Sequence, residues 1–480
     1  METAKPAVRT IGFLLDGRWL CEGEAFDVLA PHDGRIVAGT FRATPAHVEA
    51  AIAASVRVFE TTRKLPTYER QRALRAVAEG LAGRKEEIAR ALALEAAKPI
   101  RTARLEVERA VLTFQIAAEE AARIGGEWLP LDLQPATAGR WAIVRRFPIG
   151  PIASITPFNF PLNLVAHKVA PAMAAGCTVV HKPAPQTPIC SLLLAEIVQQ
   201  AGWPDGALNV LPLSNADAEP LVTDDRLKML SFTGSAAVGW ELKKKGGKKR
   251  VALELGGNAG VIVHDDADLA YAAERCALGG FSYAGQTCIS VQRILVARSV
   301  FDKFLAEFVP RVQKLKLGDL LDETTDVGPM ISEAAARRAV EWVEEAATGG
   351  ASILCGGGRR AGLLEPTVLT GTKPEQRVNC QEVFAPVVTV EPYDDFEGAL
   401  RQVNDSPYGL QAGVFTRDAQ LIFRAYEELE VGGVIVGDVP TFRIDNMPYG
   451  GVKDSGLGRE GVRYAIEEMT ERKLLVMNLR

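Results

Sequence analysis

Apolar residues recur at three- and four-residue spacing over 44–125, first in the alanine-rich run that follows Thr44-Pro45 and then through 68–97, between charged positions. This period predicts a block of amphipathic helices that needs a sheet to pack on. From Ile152 the pattern changes. Short β-branched runs at 152–155, 177–180, 207–211, 229–232 and 251–255 alternate with helical segments, as expected of a parallel, doubly wound sheet. A second set starts near Asn258, with strands expected at 261–263, 293–297, 387–390, 412–416 and 433–436 and helices at 301–314 and 334–347. The fold class is therefore read as α/β, with two doubly wound parallel-sheet domains.

Two segments have a different texture. Over 126–147, alternating residues with Pro and Gly between them predict two antiparallel strands projecting from the body. At the C-terminus, 473–479 reads as a short apolar strand with no partner nearby in sequence. Such a strand is either an association edge or one that closes its own domain.

At about 150 residues per domain, 480 residues suggest three domains. A net charge of −5 is small for this length and gives no reason to expect nucleic acid or an anionic membrane as partner. No run of apolar residues is long enough to span a bilayer, and Met1-Glu2-Thr3-Ala4-Lys5-Pro6 opens no leader peptide, so a cytoplasmic protein is expected. Seven scattered cysteines without Cys-x-x-Cys pairs, and only five histidines, predict reduced thiols and no metal.

One pair of residues narrows the chemistry. Cys288, in Gly285-Gln286-Thr287-Cys288-Ile289-Ser290, lies 34 residues beyond Glu254, in Glu254-Leu255-Gly256-Gly257-Asn258. A thiol attacks an electrophilic carbon and holds the product as a thioester; a carboxylate activates the water that releases it. With the co-linear words Thr156-Pro157-Phe158-Asn159-Phe160-Pro161, His181-Lys182-Pro183-Ala184, Phe232-Thr233-Gly234-Ser235, Glu382-Val383-Phe384-Ala385-Pro386 and Pro448-Tyr449-Gly450-Gly451-Val452-Lys453, the chain resembles the aldehyde dehydrogenase superfamily from about residue 25 to its end.

That resemblance implies oxidation of an aldehyde to a carboxylic acid with NAD or NADP. It makes Cys288 the nucleophile, Glu254 the deacylation base, Asn159 an oxyanion donor paired with the Cys288 N–H, and Lys168 a helper in proton transfer near Glu254. A structural ion pair is the plainer role for Lys168. The cofactor wall it implies comprises Ile155, Thr156, Pro157 and Phe158; Lys182, Ala184, Pro185 and Gly206; Phe232, Gly234, Ser235 and Val238; Leu255 and Gly256; and Glu382 and Phe384. Pro185 stands where many NAD-specific members carry a Glu that grips the ribose, so nothing there repels a 2′-phosphate. Six stretches follow from the same resemblance. Residues 1–125, 148–256 and 441–466 form the dinucleotide-binding part, the last including the substrate loop. Residues 257–440 are catalytic, and 126–147 with 467–480 form a small β oligomerisation element of a homodimer or homotetramer.

The substrate is a small-molecule aldehyde. Its selection is assigned to Asn159, Phe160, Thr287 and Ile289, to the helix around Phe114, to His167 and to Arg443. His167 either faces the aldehyde tunnel or is a hydrogen-bonded core residue. Arg443 either pairs with an anionic group on a short aldehyde or is a surface or intersubunit residue. The wording resembles the branch that acts on lactaldehyde, succinic semialdehyde and phosphonoacetaldehyde. A CoA-acylating enzyme is the main alternative, and Glu254 weighs against it. A cysteine thioesterase or a non-catalytic protein on the same fold are the others.

Overall fold

The computed structural model describes residues 9–360 and 363–478, so the expectation about the first six residues lies outside the described part. One sheet has eight strands in the order Arg18–Leu20, Phe13–Leu15, Leu208–Val210, Val179–Lys182, Ile152–Ile155, Met229–Thr233, Arg250–Glu254, Gly456–Leu457. Its five central strands run parallel, and both margins are antiparallel. The second sheet has seven, in the order Ser352–Cys355, Thr367–Thr370, Val387–Tyr393, Val291–Ala297, Ala259–Val263, Gln411–Phe415, Gly433–Val436, with only Ser352–Cys355 antiparallel. Strands such as Ala259–Val263 and Val291–Ala297 are buried throughout, as continuous apolar runs covered by helices on both faces must be.

The helical block is more segmented than its spacing predicts. Pro45–Thr62, Thr67–Gly83, Lys85–Glu95 and Ile100–Ala122 are separate helices, and 68–97 is broken at Arg84, whose φ of −108° and ψ of 19° leave the helical region. The strand expected at 177–180 starts later, at Val179. Gly176, with φ +88°, ends the preceding helix Asn163–Ala175 in a left-handed cap that only glycine adopts without strain.

The C-terminal strand has a partner after all. Thr470–Asn478 pairs antiparallel with Arg140–Pro148 in nine register positions, and Arg140–Pro148 pairs in turn with Gly126–Pro130. A pairing across more than 300 residues leaves no local signal, which is why the strand looks orphaned in sequence. Its outer edge stays open in this chain, with Leu474, Leu475 and Val476 exposed. Leu479, at the end of the expected strand, lies outside the described residues. No helix among the described residues is long and apolar enough to cross a membrane.

Candidate active site

A cavity of about 570 Å³ opens where the two large sheets face each other, and Asn159, Glu254 and Cys288 all line it. Each comes from a strand end. Asn159 follows Ile152–Ile155, Glu254 closes Arg250–Glu254, and Cys288 precedes Val291–Ala297. Asn159 and Glu254 thus stand at carboxyl ends, where parallel strands set ligand crevices, and Cys288 meets them from the turn before a strand of the other sheet.

The loop carrying Cys288 is unusual backbone. Tyr283, Ala284 and Gly285 have φ of 53°, 52° and 66°, a left-handed run that turns the chain out of helix Leu269–Phe281. A Cβ on Gly285 would stand 2.1 Å from the carbonyl oxygen of Ala385, so no side chain fits there. The Tyr283 hydroxyl donates to the Ala96 carbonyl at 2.5 Å and the Ile331 N–H donates to the Gln286 side chain at 2.9 Å, which hold the strained loop from both sides. The Asn159 amide donates to the Gln286 carbonyl at 3.0 Å, one peptide away from the Cys288 N–H that the resemblance gave it as partner. Asn159 Oδ1 is buried with no protein partner among the described residues.

The Cys288 sulfur lies 3.0 Å from the hydroxyl of Tyr449. Burial pushes the thiol up to about 12, against the Tyr449 hydrogen bond, which lowers it. The Arg443 guanidinium lies over the Tyr449 ring, 3.6 Å from its centroid, and donates to Glu460 at 2.9 Å. Glu460 also takes Lys168 at 3.3 Å, and Lys168 donates to Ser231 at 2.9 Å. Burial opposes ionisation of Glu460, but the Lys168 and Arg443 cations outweigh it and hold its carboxyl at about 2. Glu254 is buried, and its Oε2 has no partner among the described residues. Desolvation first, and then the fixed charge of Glu460, raise its proton affinity well above that of an ordinary carboxylate.

On the cofactor side, Thr233, Gly234 and Ser235 lead from strand Met229–Thr233 into helix Ala236–Lys245, whose first turn carries no side-chain cap and exposes Val238. Its first N–H groups are therefore open to an anion. Phe232, Ile155 and Thr156 sit at strand ends, and Pro157, Phe158, Leu255 and Gly256 line the cavity. A Cβ on Gly256 would meet the Glu382 carboxylate at 2.5 Å, so the glycine leaves that approach clear. Glu382 accepts the Gly257 N–H at 2.8 Å and burial lifts it to about 7; Phe384 meets Phe158 edge to face. Lys182 ends Val179–Lys182, reaches Asn215 at 3.1 Å, and is drawn down to about 8 by burial. Ala184 is buried and Pro185 half-buried in the loop after it. The buried Thr233 hydroxyl, on the cavity wall, lacks a partner among the described residues, as expected of a crevice built for a polar ligand.

Several expected site residues lie elsewhere. Gly206 precedes strand Leu208–Val210, at the opposite end of the sheet from Lys182; its φ of +82° serves a turn against Asp16 and Val58. His167 is buried behind the cavity wall, 2.7 Å from Asp445, and Lys168 is likewise committed to Glu460. Phe114 is wholly buried core, since the cavity face of helix Ile100–Ala122 is set by Thr102, Leu105 and Arg109. Arg443 is neither surface nor rim: it is buried and lines the cavity, as do Phe160, Thr287 and Ile289. Arg109, Asp445, Tyr449 and Glu460 were not picked out by sequence reasoning. Arg109 lines the cavity and grips Asp445 at 2.7 Å. Tyr449 and Glu460 lie within or just after the quoted Pro448–Lys453 word, and only their spatial meeting with Cys288 and Arg443 marks them. His264, Asp265 and Asp266 come together near a turn, but Asp266 is taken by Thr416 and the Arg417 N–H and His264 by Tyr393.

A buried thiol, an amide and a carboxylate of raised basicity, set beside an open helix N-terminus between two parallel sheets, define an oxidoreductase that works through a bond to sulfur. The sequence profile of the aldehyde dehydrogenase family matches residues 19–475, and the chain belongs to that family. It is 45% identical over 478 residues to the 3-sulfolactaldehyde dehydrogenase of Priestia megaterium, covering 99% of this chain and all of that one. Aldehyde dehydrogenase 21 of Physcomitrella patens, solved with its reaction product succinate, superposes with a TM-score of 0.97 at 44% identity, covering 98% of this chain and 99% of that one. Two further solved relatives hold dinucleotides. GapN of Methanocaldococcus jannaschii, with NADP, has a TM-score of 0.92 at 39% identity and covers 96% of this chain and all of that one. Betaine aldehyde dehydrogenase of Staphylococcus aureus, with NAD+, has a TM-score of 0.93 at 31% identity and covers 97% and 94%.

Proposed function

We propose that this protein oxidises a short anionic aldehyde, of the kind that carries a carboxylate or sulfonate, to the corresponding acid with NAD or NADP and releases it by hydrolysis. The observation that carries the substrate class is Arg443. Its guanidinium lines the cavity beside Tyr449, yet its Nε is buried without a partner among the described residues, a donor still waiting for an acceptor. Arg109 supplies a second guanidinium on the same wall. Asp445 and Glu460 hold these forks in place, and Leu105, Phe160 and Ile289 bound an apolar path suited to a short chain. The 3-sulfolactaldehyde dehydrogenase relative is named for an aldehyde of this chemistry, and aldehyde dehydrogenase 21 holds succinate, a product of this chemistry.

In the reaction, the Cys288 sulfur bonds to the aldehyde carbon and the carbonyl electron pair moves to oxygen. The Asn159 amide is the donor nearest that loop and steadies the oxyanion. The dinucleotide, when bound, accepts the hydride that leaves the same carbon. Glu254 then takes a proton from water, whose oxygen attacks the thioester carbon and frees the Cys288 sulfur. Asn159→Ala is expected to slow the first turnover about 10²-fold, read as the burst rate of reduced dinucleotide.

The two dinucleotides are both accepted, because Pro185 offers no carboxylate against a 2′-phosphate. We assign 1–125, 148–256 and 441–466 to dinucleotide binding, 257–440 to catalysis, and the three-stranded sheet to a homodimer or homotetramer contact through its open edge at Leu474–Val476. Seven free thiols fit a reducing, cytoplasmic setting. The test is a panel of neutral, aromatic and anionic aldehydes run with each dinucleotide. Anionic aldehydes should lead, and Arg443→Ala should cut the ratio of anionic to neutral kcat/KM by about 10². An unchanged ratio removes the anionic substrate, and a dinucleotide bias above about a thousandfold, near 4 kcal/mol, removes dual use.

A further inference from the structure

The Tyr449 hydroxyl takes no part in the steps from thiol attack to hydrolysis, although it stands 3.0 Å from the attacking sulfur. Its position is over-determined. Tyr449 and Glu460 exchange backbone hydrogen bonds in both directions, and the ring packs with Ile289 and Leu410 beside Cys288. Arg443 covers its face. A phenol clamped on four sides has little freedom to point its oxygen elsewhere.

We propose that Tyr449 is a further catalytic residue, whose hydroxyl donates a hydrogen bond to the Cys288 thiolate before attack. This rests on Cys288 being the nucleophile. The direction of donation follows from which group gives up its proton first. Burial holds the phenol well above its ordinary value, while the thiol is pushed up to about 12, so the sulfur ionises and the phenol keeps its hydrogen. A guanidinium cation over the ring draws electron density from the oxygen and makes the hydroxyl a stronger donor. The other charged groups that face the sulfur are Glu254, at the end of its strand, and Glu382, in the loop before strand Val387–Tyr393. Both oppose a negative sulfur. Tyr449 and Arg443 thus favour the thiolate, and among the described residues Tyr449 is the one that hydrogen-bonds to the sulfur. No proton is transferred in this role. The thiol proton is lost to solvent, the hydroxyl steadies the anion, and as the S–C bond forms the sulfur pair goes into that bond and the hydrogen bond weakens.

Iodoacetamide labelling isolates this step from aldehyde oxidation, since the S–C bond forms while iodide leaves and nothing else in the site reacts. Labelling of the Cys288 peptide is followed by mass spectrometry in wild type and Tyr449→Phe, with exposed Cys21 as internal reference. The phenylalanine keeps the ring under Arg443, and unchanged dinucleotide affinity verifies an intact fold. Losing a donor to a charged sulfur is worth about one pH unit in the thiol, partly offset by the greater nucleophilicity of a more basic sulfur. Labelling of Cys288 at neutral pH is therefore expected to slow by roughly three- to tenfold relative to Cys21. An unchanged or faster rate in Tyr449→Phe overturns the role of Tyr449 alone. A Cys288 that resists labelling in wild type while Cys21 reacts overturns the nucleophile as well.

Discussion

Cys288→Ser is expected to lower aldehyde oxidation by at least about 10³-fold while dinucleotide binding stays at the wild-type level. The change is one atom. The Gln286 turn and the Arg443–Tyr449 contact keep their partners because neither touches that atom, while the Tyr449 hydroxyl meets a serine oxygen in place of the sulfur. What is lost is the electron pair. An alcohol in a pocket whose burial already pushes a thiol to about 12 has almost no anion to offer, and it lacks the polarisability of sulfur. Two measurements decide it: turnover of an anionic aldehyde, and fluorescence titration with the dinucleotide. Near-native turnover in the serine variant would remove Cys288 from the mechanism.

Glu254→Gln should divide the reaction in two. Formation of the first equivalent of reduced dinucleotide proceeds, and the enzyme then stalls as an acyl-thioester, so the steady-state rate falls about 10²- to 10⁴-fold behind a preserved burst. The pH dependence carries the same signature. Burial and the Glu460 charge raise the proton affinity of Glu254, so its basic form, and with it deacylation, is lost as pH falls through that raised value and grows as pH rises. Glutamine has no such limb. Because the substitution replaces a buried carboxylate, whose Oε2 has no partner among the described residues, with a neutral amide of similar shape, the thermal midpoint should not drop. Stopped-flow absorbance across the pH range reads burst and steady state together. An unaltered steady-state rate would exclude Glu254 as the base.

Much of this architecture is legible in the chain because strands buried on both faces must be written as short runs of β-branched residues, and both large sheets are. Glu254 and Asn159 are legible for a related reason: each ends or follows such a strand, where a parallel sheet opens its crevice; Cys288, in the turn before a strand, is legible from its distinctive local word alone. Contacts made only by folding are not. Tyr449 meets Cys288 across 161 residues. Arg109 reaches the cavity, and Phe114 does not, through the rotation of one helix by five positions. His167 and Lys168 both sit on a helix buried along its whole length, so no polar face betrays which way either points. Gly206 is misread because a turn glycine and a cofactor glycine look alike in sequence. The terminal strand finds Arg140–Pro148 by a pairing with no local trace.

Strand Arg250–Glu254 is flanked on its outer side by Gly456–Leu457, with Glu254 opposite Gly456. During synthesis Glu254, the proposed base, therefore has an uncovered backbone edge until about 200 further residues have left the ribosome. The nascent protein can collapse around its helices early, but its hydrolytic half is completed nearly last. The margin of Arg250–Glu254 is until then an open strand edge, of the kind that pairs with neighbouring chains unless shielded.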